Sequence, residues 1–295
     1  MNQERRGSGR RARVTRTGGC IPQLPWRAVK NTYTPMQLVD DASIELIHRN
    51  SMRILSELGI RIAHAKALDL FEAAGAIVDR AEQTVRIDES IVNAALATAP
   101  SSFTLTSRNP EKVLSIGGNN LTFGLVAGPP NVHDRINGRR SGNLPDYENF
   151  IRLAHSFNAI HIIGNQVCSP MELPANSRHL NTYHANLSLS DRCFHCTAIG
   201  RGRALDGINM MAISRGVSID DMRRSPGVIT IINVNSPRLF DDAMADGLMA
   251  MAEHGQPVTI TPFTLMGAMT PVTLAAALSQ QNAEALFGVT FAQLV

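Results

Sequence analysis

The chain has 295 residues, of which 44% are hydrophobic and 18% are charged, so it can bury a sizeable core and is not a mostly disordered chain. No apolar run approaches the ~20 residues of a membrane-spanning helix, and we therefore expect a soluble protein without a membrane partner. The first 16 residues carry six arginines and one glutamate, which contribute +5 to a formal net charge of +3. The remainder sums to −2, and this mild acidity predicts no nucleic-acid partner.

The cysteine content indicates a reducing compartment. The four cysteines, Cys20, Cys168, Cys193 and Cys196, are too few and too scattered for a disulfide scaffold in a chain of this length. The Arg5-Arg6 pair is followed by no apolar stretch, so it does not form a convincing export signal. We expect a cytoplasmic protein.

The first 118 residues are predicted to form a tail and a cap. Residues 1–30 are rich in arginine and glycine and are expected to be disordered. Residues 31–118 are expected to form a helical N-terminal cap, because apolar residues recur with a 3.6-residue period and glycine or proline ends each run. The predicted helices cover about 40–58, 64–74 and 90–97. A short strand is predicted at 84–87, and a small β segment at 101–118.

A different pattern begins at residue 119. Apolar runs of strand length start 39, 34, 34 and 30 residues apart, at 121–126, 160–165, 194–199, 228–234 and 258–262. An amphipathic helix follows each run, at about 145–157, 174–189, 203–215, 239–254 and 271–294. This alternation predicts an α/β fold with parallel strands, and its steady period favours a TIM (β/α)8-type barrel over a doubly wound sheet. No G-x-G-x-x-G motif follows the first strand, which also argues against a dinucleotide-binding sheet.

Residues 119–295 contain about five of the eight βα units that a complete barrel requires. The chain ends in the apolar residues 291–295, where an open sheet edge would remain. The sequence therefore predicts a partial barrel, and we expect a truncated chain that lacks about three units.

Candidate substrate-binding residues follow from the strand positions. Active sites of parallel α/β folds lie beyond the carboxyl ends of the strands. The side chains selected there are mostly neutral and polar, and no catalytic residue is assigned: Asn131, His133, Gln166, His195, Asn233, Asn235 and Phe263. For His133 two interpretations stay open, an acid or base at the rim of the site and a solvated turn with Asn137-Gly138 at its tip.

The segment from Cys193 to Cys196 suggests a zinc or redox site as an alternative. In a strand, residues three apart point to opposite faces, so Cys193 and Cys196 cannot both face one ion. Cys193 and His195 do share a face, and a zinc site would need Cys168 as a further ligand. The other interpretation is that the cysteines are packed in the core.

Several segments together resemble the trimethylamine methyltransferase family. The segments that carry this resemblance read ILSELGI at 54–60, APSSF at 99–103, GRR at 138–140, DYENF at 146–150, SPMELP at 169–174, RHL at 178–180, INVNSP at 232–237, QPVTITP at 256–262, GAMTPVTLA at 267–275 and QQNAEAL at 280–286. The similarity covers about residues 40–295, and the run from 267 to 286 is the most specific part.

The resemblance implies a TIM-barrel enzyme that moves a methyl group from a tertiary or quaternary amine, such as trimethylamine or glycine betaine, to the cob(I)alamin of a corrinoid protein. It implies no directly bound cofactor, because the partner protein presents the corrinoid, and it allows a homo-oligomer. Two alternatives remain: a zinc-assisted barrel methyltransferase that uses Cys168, Cys193 and His195, and an inactive truncated chain. Neutral amides and hydroxyls suit a bulky cation, and Phe263 and Phe194 offer cation–π contacts.

Overall fold

The computed structural model describes residues 22–164 and 166–295. The predicted tail lies mostly outside these residues, as does Cys20. The end of that tail is ordered, because residues 29–30 form a strand that pairs with Asn120 and Leu121. Among the described residues, no helix is long and apolar enough to cross a membrane.

The described chain alternates helices and short strands. The helices are α1 (Asp41–Arg53), α2 (Ala65–Ala73), α3 (Glu89–Thr98), α4 (Leu144–Ser156), α5 (Arg178–Leu189), α6 (Arg201–Arg215), α7 (Ile219–Arg224), α8 (Asp242–Glu253) and α9 (Leu274–Leu294). The strands are β1 (Val29–Lys30), β2 (Ile60–Ile62), β3 (Ile77–Asp79), β4 (Thr84–Arg86), β5 (Ser102–Leu105), β6 (Leu114–Gly117), β7 (Asn120–Leu121), β8 (Asn131–Asp134), β9 (Gly138–Ser141), β10 (Phe194–His195), β11 (Val228–Val234), β12 (Leu239–Phe240) and β13 (Val258–Pro262).

The region 31–118 contains a sheet as well as the three predicted helices. Strands β2, β3 and β4 form this sheet, and β12 from the second half of the chain extends it by pairing in parallel with β2. Helix α1 starts at the Asp40 cap and continues as one π-helical turn to Gly59. A Cβ at Gly59 would meet the Val85 carbonyl oxygen at 2.5 Å, so glycine permits this close approach to β4. The region is therefore mixed α/β and not purely helical.

The two halves of the chain share one hydrophobic core. Helices α1, α2 and α3 of the first half all pack against α9. At this contact Phe71 stacks on Phe287, with the ring centroids 4.5 Å apart, and both side chains are fully buried. The first half is thus continuous with the βα units that follow it.

Five parallel segments follow one another in chain order. Bridges join Gly124 to Ile162 and Ile163 to Phe194, and continuous parallel ladders join β10 to β11 and β11 to β13. We number these segments 1 to 5, centred on Gly124, residues 162–163, β10, β11 and β13. They coincide with the five predicted apolar runs, and their spatial order repeats their sequence order.

Helices cover one face of the parallel segments, and the β5–β6 hairpin covers the amino end of the other face. Neighbouring helices pack in sequence, α4 on α5, α5 on α6 and α6 on α8. On the opposite face Ile162, Cys193 and Ile229 pack against Leu105 and Leu114 of the β5–β6 hairpin. We call this second face the inner face. Among the described residues the segments form an open array, so the barrel remains a prediction.

Candidate functional site

The inner face opens toward the carboxyl ends of β11 and β13. Residues alternate between faces along a strand, so Ile229, Ile231 and Asn233 of β11 share the inner face. Their side chains become less buried along the strand, from buried at Ile229 to exposed at Asn233. On β13, Thr259 and Thr261 lie opposite Ile231 and Asn233. The result is an open surface whose outer edge is polar.

Asn233 and Thr261 form a hydrogen-bonded pair at this edge. The Thr261 hydroxyl donates to Oδ1 of Asn233 over 2.6 Å, and its oxygen also lies 3.3 Å from the Ile232 carbonyl. This leaves the amide hydrogens of Asn233 to donate to another group. Neither side chain titrates near neutral pH, so the pair can bind and orient a ligand but cannot serve as a proton donor with a tuned pKa.

Phe263 follows directly after β13 at the same end. Its backbone N–H donates to the Val234 carbonyl over 3.3 Å, and its side chain is 61% exposed. The Val234–Pro262 pair is the last pair of the β11–β13 ladder, so Phe263 lies one position beyond the level of Val234. Asn233, Thr261 and Phe263 therefore occupy one end of adjacent strands. An exposed aromatic ring beside neutral polar groups is a suitable surface for an organic cation.

His195 shares the inner face but lies deeper. Its register partner on β11 is Ile229, four residues before Asn233, which corresponds to roughly 13 Å along the strand. Burial lowers the pKa of His195 to about 4, so the imidazole is neutral at pH 7. Its Nδ1 is buried without a hydrogen-bond partner among the described residues. The structure does not bring His195 to the Asn233–Thr261 pair.

Asn235 supports a helix start. Its side-chain amide donates to Oδ2 of Asp241 over 2.8 Å, and the other oxygen of Asp241 caps α8 by accepting from the Met244 N–H. This contact gives Asn235 a structural partner, which the sequence alone did not indicate.

Asn131 and His133 lie on a hairpin and not on the parallel segments. In the β8–β9 ladder Asn131 pairs with Ser141, and the exposed His133 pairs with Arg139. Asp134 accepts the N–H groups of Ile136 and Asn137, and Gly138 has a φ of +68°. This geometry agrees with the solvated-turn interpretation. The hairpin follows segment 1, and segments 2 and 3 separate it from β11.

Gln166 lies in the loop after segment 2. Its backbone φ is +42°, and its carbonyl accepts the Gly128 N–H over 2.9 Å. Its side-chain oxygen lies 3.4 Å from the Ser169 hydroxyl. These bonds tie the loops after segments 1 and 2 together, so Gln166 has a local structural role.

The three described cysteines are buried and free. Cys193 packs beneath the β5–β6 hairpin, whereas the Cys196 sulfur contacts the Met251 sulfur of α8 at 3.6 Å, so the two point to opposite faces as expected. Burial raises the pKa of Cys168 to about 11 and those of Cys193 and Cys196 to about 12. In the described part of the chain no group of three or more His, Cys, Asp or Glu side chains is arranged for a metal, and Cys193 and Cys196 cannot face one ion together. The zinc alternative has no support in this donor set.

Thr261 and Glu284 were not among the predicted site residues, although Thr261 lies at the same strand end as Phe263. Thr261 carried a usable signal, because Thr259 and Thr261 are alternate polar positions at the carboxyl end of an otherwise apolar strand. Glu284 is the single charged residue of the 21-residue helix α9 and is fully buried. A lone carboxyl group in an apolar helix requires buried hydrogen-bond partners, which identifies it as a residue of interest.

The arrangement defines a class of protein: a parallel β/α protein whose open polar face lies at the carboxyl ends of its strands, where such proteins bind their ligands. The family model described as Trimethylamine methyltransferase (MTTB) matches residues 5–295. The chain belongs to this family.

Three curated relatives, each named as a methyltransferase, align with most of this chain. A glycine betaine methyltransferase of Desulfitobacterium hafniense (strain Y51) is 36% identical over 258 residues, which are 88% of this chain and 53% of the relative. A proline betaine:corrinoid methyltransferase of Eubacterium limosum is 25% identical over 87% of this chain and 54% of the relative. Trimethylamine methyltransferase MttB of Desulfitobacterium hafniense (strain DSM 10664 / DCB-2) is 24% identical over 86% of this chain and 51% of the relative. The chain spans about half the length of the curated relatives it matches.

Proposed function

We propose that this chain is a methyltransferase that demethylates a quaternary amine of the betaine type and binds it at the carboxyl ends of β11 and β13. The observation that carries the proposal is the 36% identity to a glycine betaine methyltransferase across 88% of the chain. The identity to a trimethylamine methyltransferase is lower, at 24%. The family relationship alone fits a tertiary amine as well, and we take trimethylamine as the competing substrate.

The site chemistry supports a positively charged, non-titrating substrate. A quaternary nitrogen already carries its positive charge, so its amine leaves when the N–CH3 bond breaks without a proton from the protein. Asn233 and Thr261 offer neutral polar groups, and Phe263 offers a ring face. His195 is neutral at pH 7 and adds no competing positive charge. In this proposal the residues bind and orient the methyl donor and exchange no proton with it.

A corrinoid protein is the partner that the proposal requires. The corrinoid supplies the nucleophile that accepts the methyl group. The carboxyl-end face suits access by such a partner, since Asn233, Thr259 and Phe263 are all exposed there. The chain's contribution is to hold the donor methyl toward this open side. We place the protein in the cytoplasm, where its buried thiols remain free.

For the fold, we propose that segments 1 to 5 are the first five strands of a (β/α)8 barrel. Their order follows the chain, and the helices that connect them pack successively on one face, as a barrel requires. A doubly wound sheet would instead reverse its strand order at a switch point. The curated relatives are about twice as long as the matched region, which gives sufficient length for further strands.

Amine binding tests the proposed site. We expect glycine betaine to bind more tightly than trimethylamine when each is titrated into the purified chain by isothermal calorimetry. Asn233→Ala removes the amide and the acceptor of the Thr261 hydroxyl, and we expect ~10-fold weaker glycine betaine binding, equivalent to about 1.4 kcal/mol.

The exposed Asn181 on α5 provides the matched control, since Asn181→Ala makes the same change away from the inner face. Equal weakening by both variants would contradict a site at Asn233. Tighter binding of trimethylamine than of glycine betaine would contradict the substrate assignment.

A further inference from the structure

Glu284 is a fully buried carboxyl group on α9, the helix that packs behind β11 and β13. Placing such a group in the core is unfavourable unless hydrogen-bond donors surround it. Three donors contact it, and they come from two different parts of the chain. Its partners show what it holds in place.

The first two donors belong to the loop after β11. The Ser236 hydroxyl donates to Oε2 of Glu284 over 2.5 Å, and the Arg238 N–H donates to Oε1 over 2.8 Å. Arg238 has a φ of +55°, a left-handed conformation that a non-glycine residue adopts only when neighbours hold it there. Its guanidinium also donates to the Gly59 carbonyl over 3.0 Å. The loop that leaves Asn233 is thus fixed to α9 and to the end of α1.

The third donor links Glu284 to the loop after β13. Gln280 lies one helical turn before Glu284, and its Nε2 donates to Oε1 of Glu284 over 2.8 Å. The same Nε2 also donates to the Met269 carbonyl over 3.0 Å. Met269 belongs to the loop that begins at Phe263. Through Gln280, α9 therefore holds the second loop as well.

We propose that Glu284, together with Gln280, is a positioning residue of the amine site. It contacts no exposed part of the inner face and acts through the two loops, one leaving Asn233 and the other beginning at Phe263. The β11–β13 ladder sets the register of Asn233 and Thr261, and the Glu284–Gln280 pair anchors the two loops that continue from these strands, which limits the movement of the edge where a cation would bind. The inference rests on the proposed function for the identity of the ligand, but the contacts themselves do not depend on it.

Two substitutions at position 284 separate positioning from general stability. Glu284→Ala removes all three acceptor contacts. Glu284→Gln keeps them, because its carbonyl oxygen still accepts from Arg238 and Gln280 and its amide donates to the Ser236 oxygen. The matched control is Gln281→Ala, at an exposed position on the same helix.

The measurements are backbone hydrogen exchange of residues 234–240, followed by mass spectrometry, and calorimetric binding of glycine betaine. In Glu284→Ala we expect ~10-fold faster exchange of this loop and ~10-fold weaker binding. Glu284→Gln should restore both values to within about 3-fold of the parent chain, and Gln281→Ala should change neither.

Unchanged loop exchange in Glu284→Ala would overturn the inference, and so would faster exchange with unaltered glycine betaine binding. Failure of Glu284→Gln to restore either value would also overturn it. If the parent chain binds no methylated amine, the proposed function fails and the positioning role in amine binding fails with it. The exchange data would still show whether Glu284 holds the loop, so the two failures are distinguishable.

Discussion

At the residue scale, the inner face separates polar side chains by depth. Asn233 and Thr261 lie at the open end and are joined by one hydrogen bond of 2.6 Å. His195 lies deeper, and burial holds its pKa at about 4, below the usual value of about 6.5. As the pH falls, this imidazole is protonated at a higher pH in the unfolded chain than in the folded protein. The contribution of His195 to the free energy of unfolding is therefore fully present above pH 6.5 and is lost as the pH falls toward 4.

We therefore expect His195 to contribute about 2 kcal/mol to the loss of unfolding free energy between pH 7 and pH 5. Urea unfolding of the parent chain and of His195→Gln at both pH values measures this contribution. The difference between pH 7 and pH 5 should shrink in His195→Gln and should stay the same in His184→Gln, which changes an exposed histidine. An identical pH dependence in all three proteins would refute the buried neutral imidazole.

At the element scale, close packing between helices and strands depends on glycine at particular positions. A Cβ at Gly247 of α8 would meet the Ala198 carbonyl oxygen at 1.8 Å and the Ala198 carbonyl carbon at 2.7 Å. Both are backbone atoms of Ala198, three residues after the end of β10, so the helix itself would have to move. A Cβ added at Gly202 of α6 would have no other atom within 4 Å. The two glycines therefore provide a matched pair on neighbouring helices.

We expect Gly247→Ala to lower the free energy of unfolding by ~3 kcal/mol or more, because overpacking against backbone cannot be relieved by a side-chain rotation. Gly202→Ala should have no cost and should gain up to about 1 kcal/mol from helix propensity. Thermal and urea unfolding of the two variants checks both values. Similar stability of the two variants would disprove the close α8 contact.

Elements with a strong local pattern were predicted well. The five apolar runs coincide with segments 1 to 5, and the observed α4, α5, α6, α8 and α9 lie within a few residues of the predicted helices. The β8–β9 hairpin was not predicted, because residues 131–141 are mostly polar and only Asn137-Gly138 indicates a turn. The pairing of β12 with β2 joins residues about 180 positions apart, a contact for which the local sequence contains no signal.

The candidate site was also predictable only in part, because some of its residues depend on long-range contacts and not on local pattern. Strand ends identified Asn233 and Phe263, since position at the carboxyl end of a strand is a local property. The depth of His195 depends on its register with Ile229, and the role of Asn235 depends on its contact with Asp241. Glu284 acts through partners 46 and 48 residues away. Register and long-range contacts are set by packing, not by local pattern.

At the scale of the whole molecule, one core joins the first half of the chain to the βα units. Helices α1, α2 and α3 pack around α9, and α9 in turn supports β11 and β13. The side of the core that faces α9 thus positions the loops of the candidate site, while the inner face stays open at the carboxyl ends. This division agrees with the proposed function, in which the chain holds a small amine and also admits a corrinoid protein.

The most direct measurement of the central claim is methyl transfer itself. The purified chain is incubated with glycine betaine carrying nine deuterium atoms on its methyl groups and with a reduced corrinoid protein, and the demethylated product is quantified by mass spectrometry. The Desulfitobacterium hafniense glycine betaine methyltransferase, assayed in parallel, shows that the corrinoid protein is competent. We predict dimethylglycine with six deuterium atoms, formed only when chain, substrate and reduced corrinoid protein are all present. Absence of this product while the parallel assay succeeds would contradict the account.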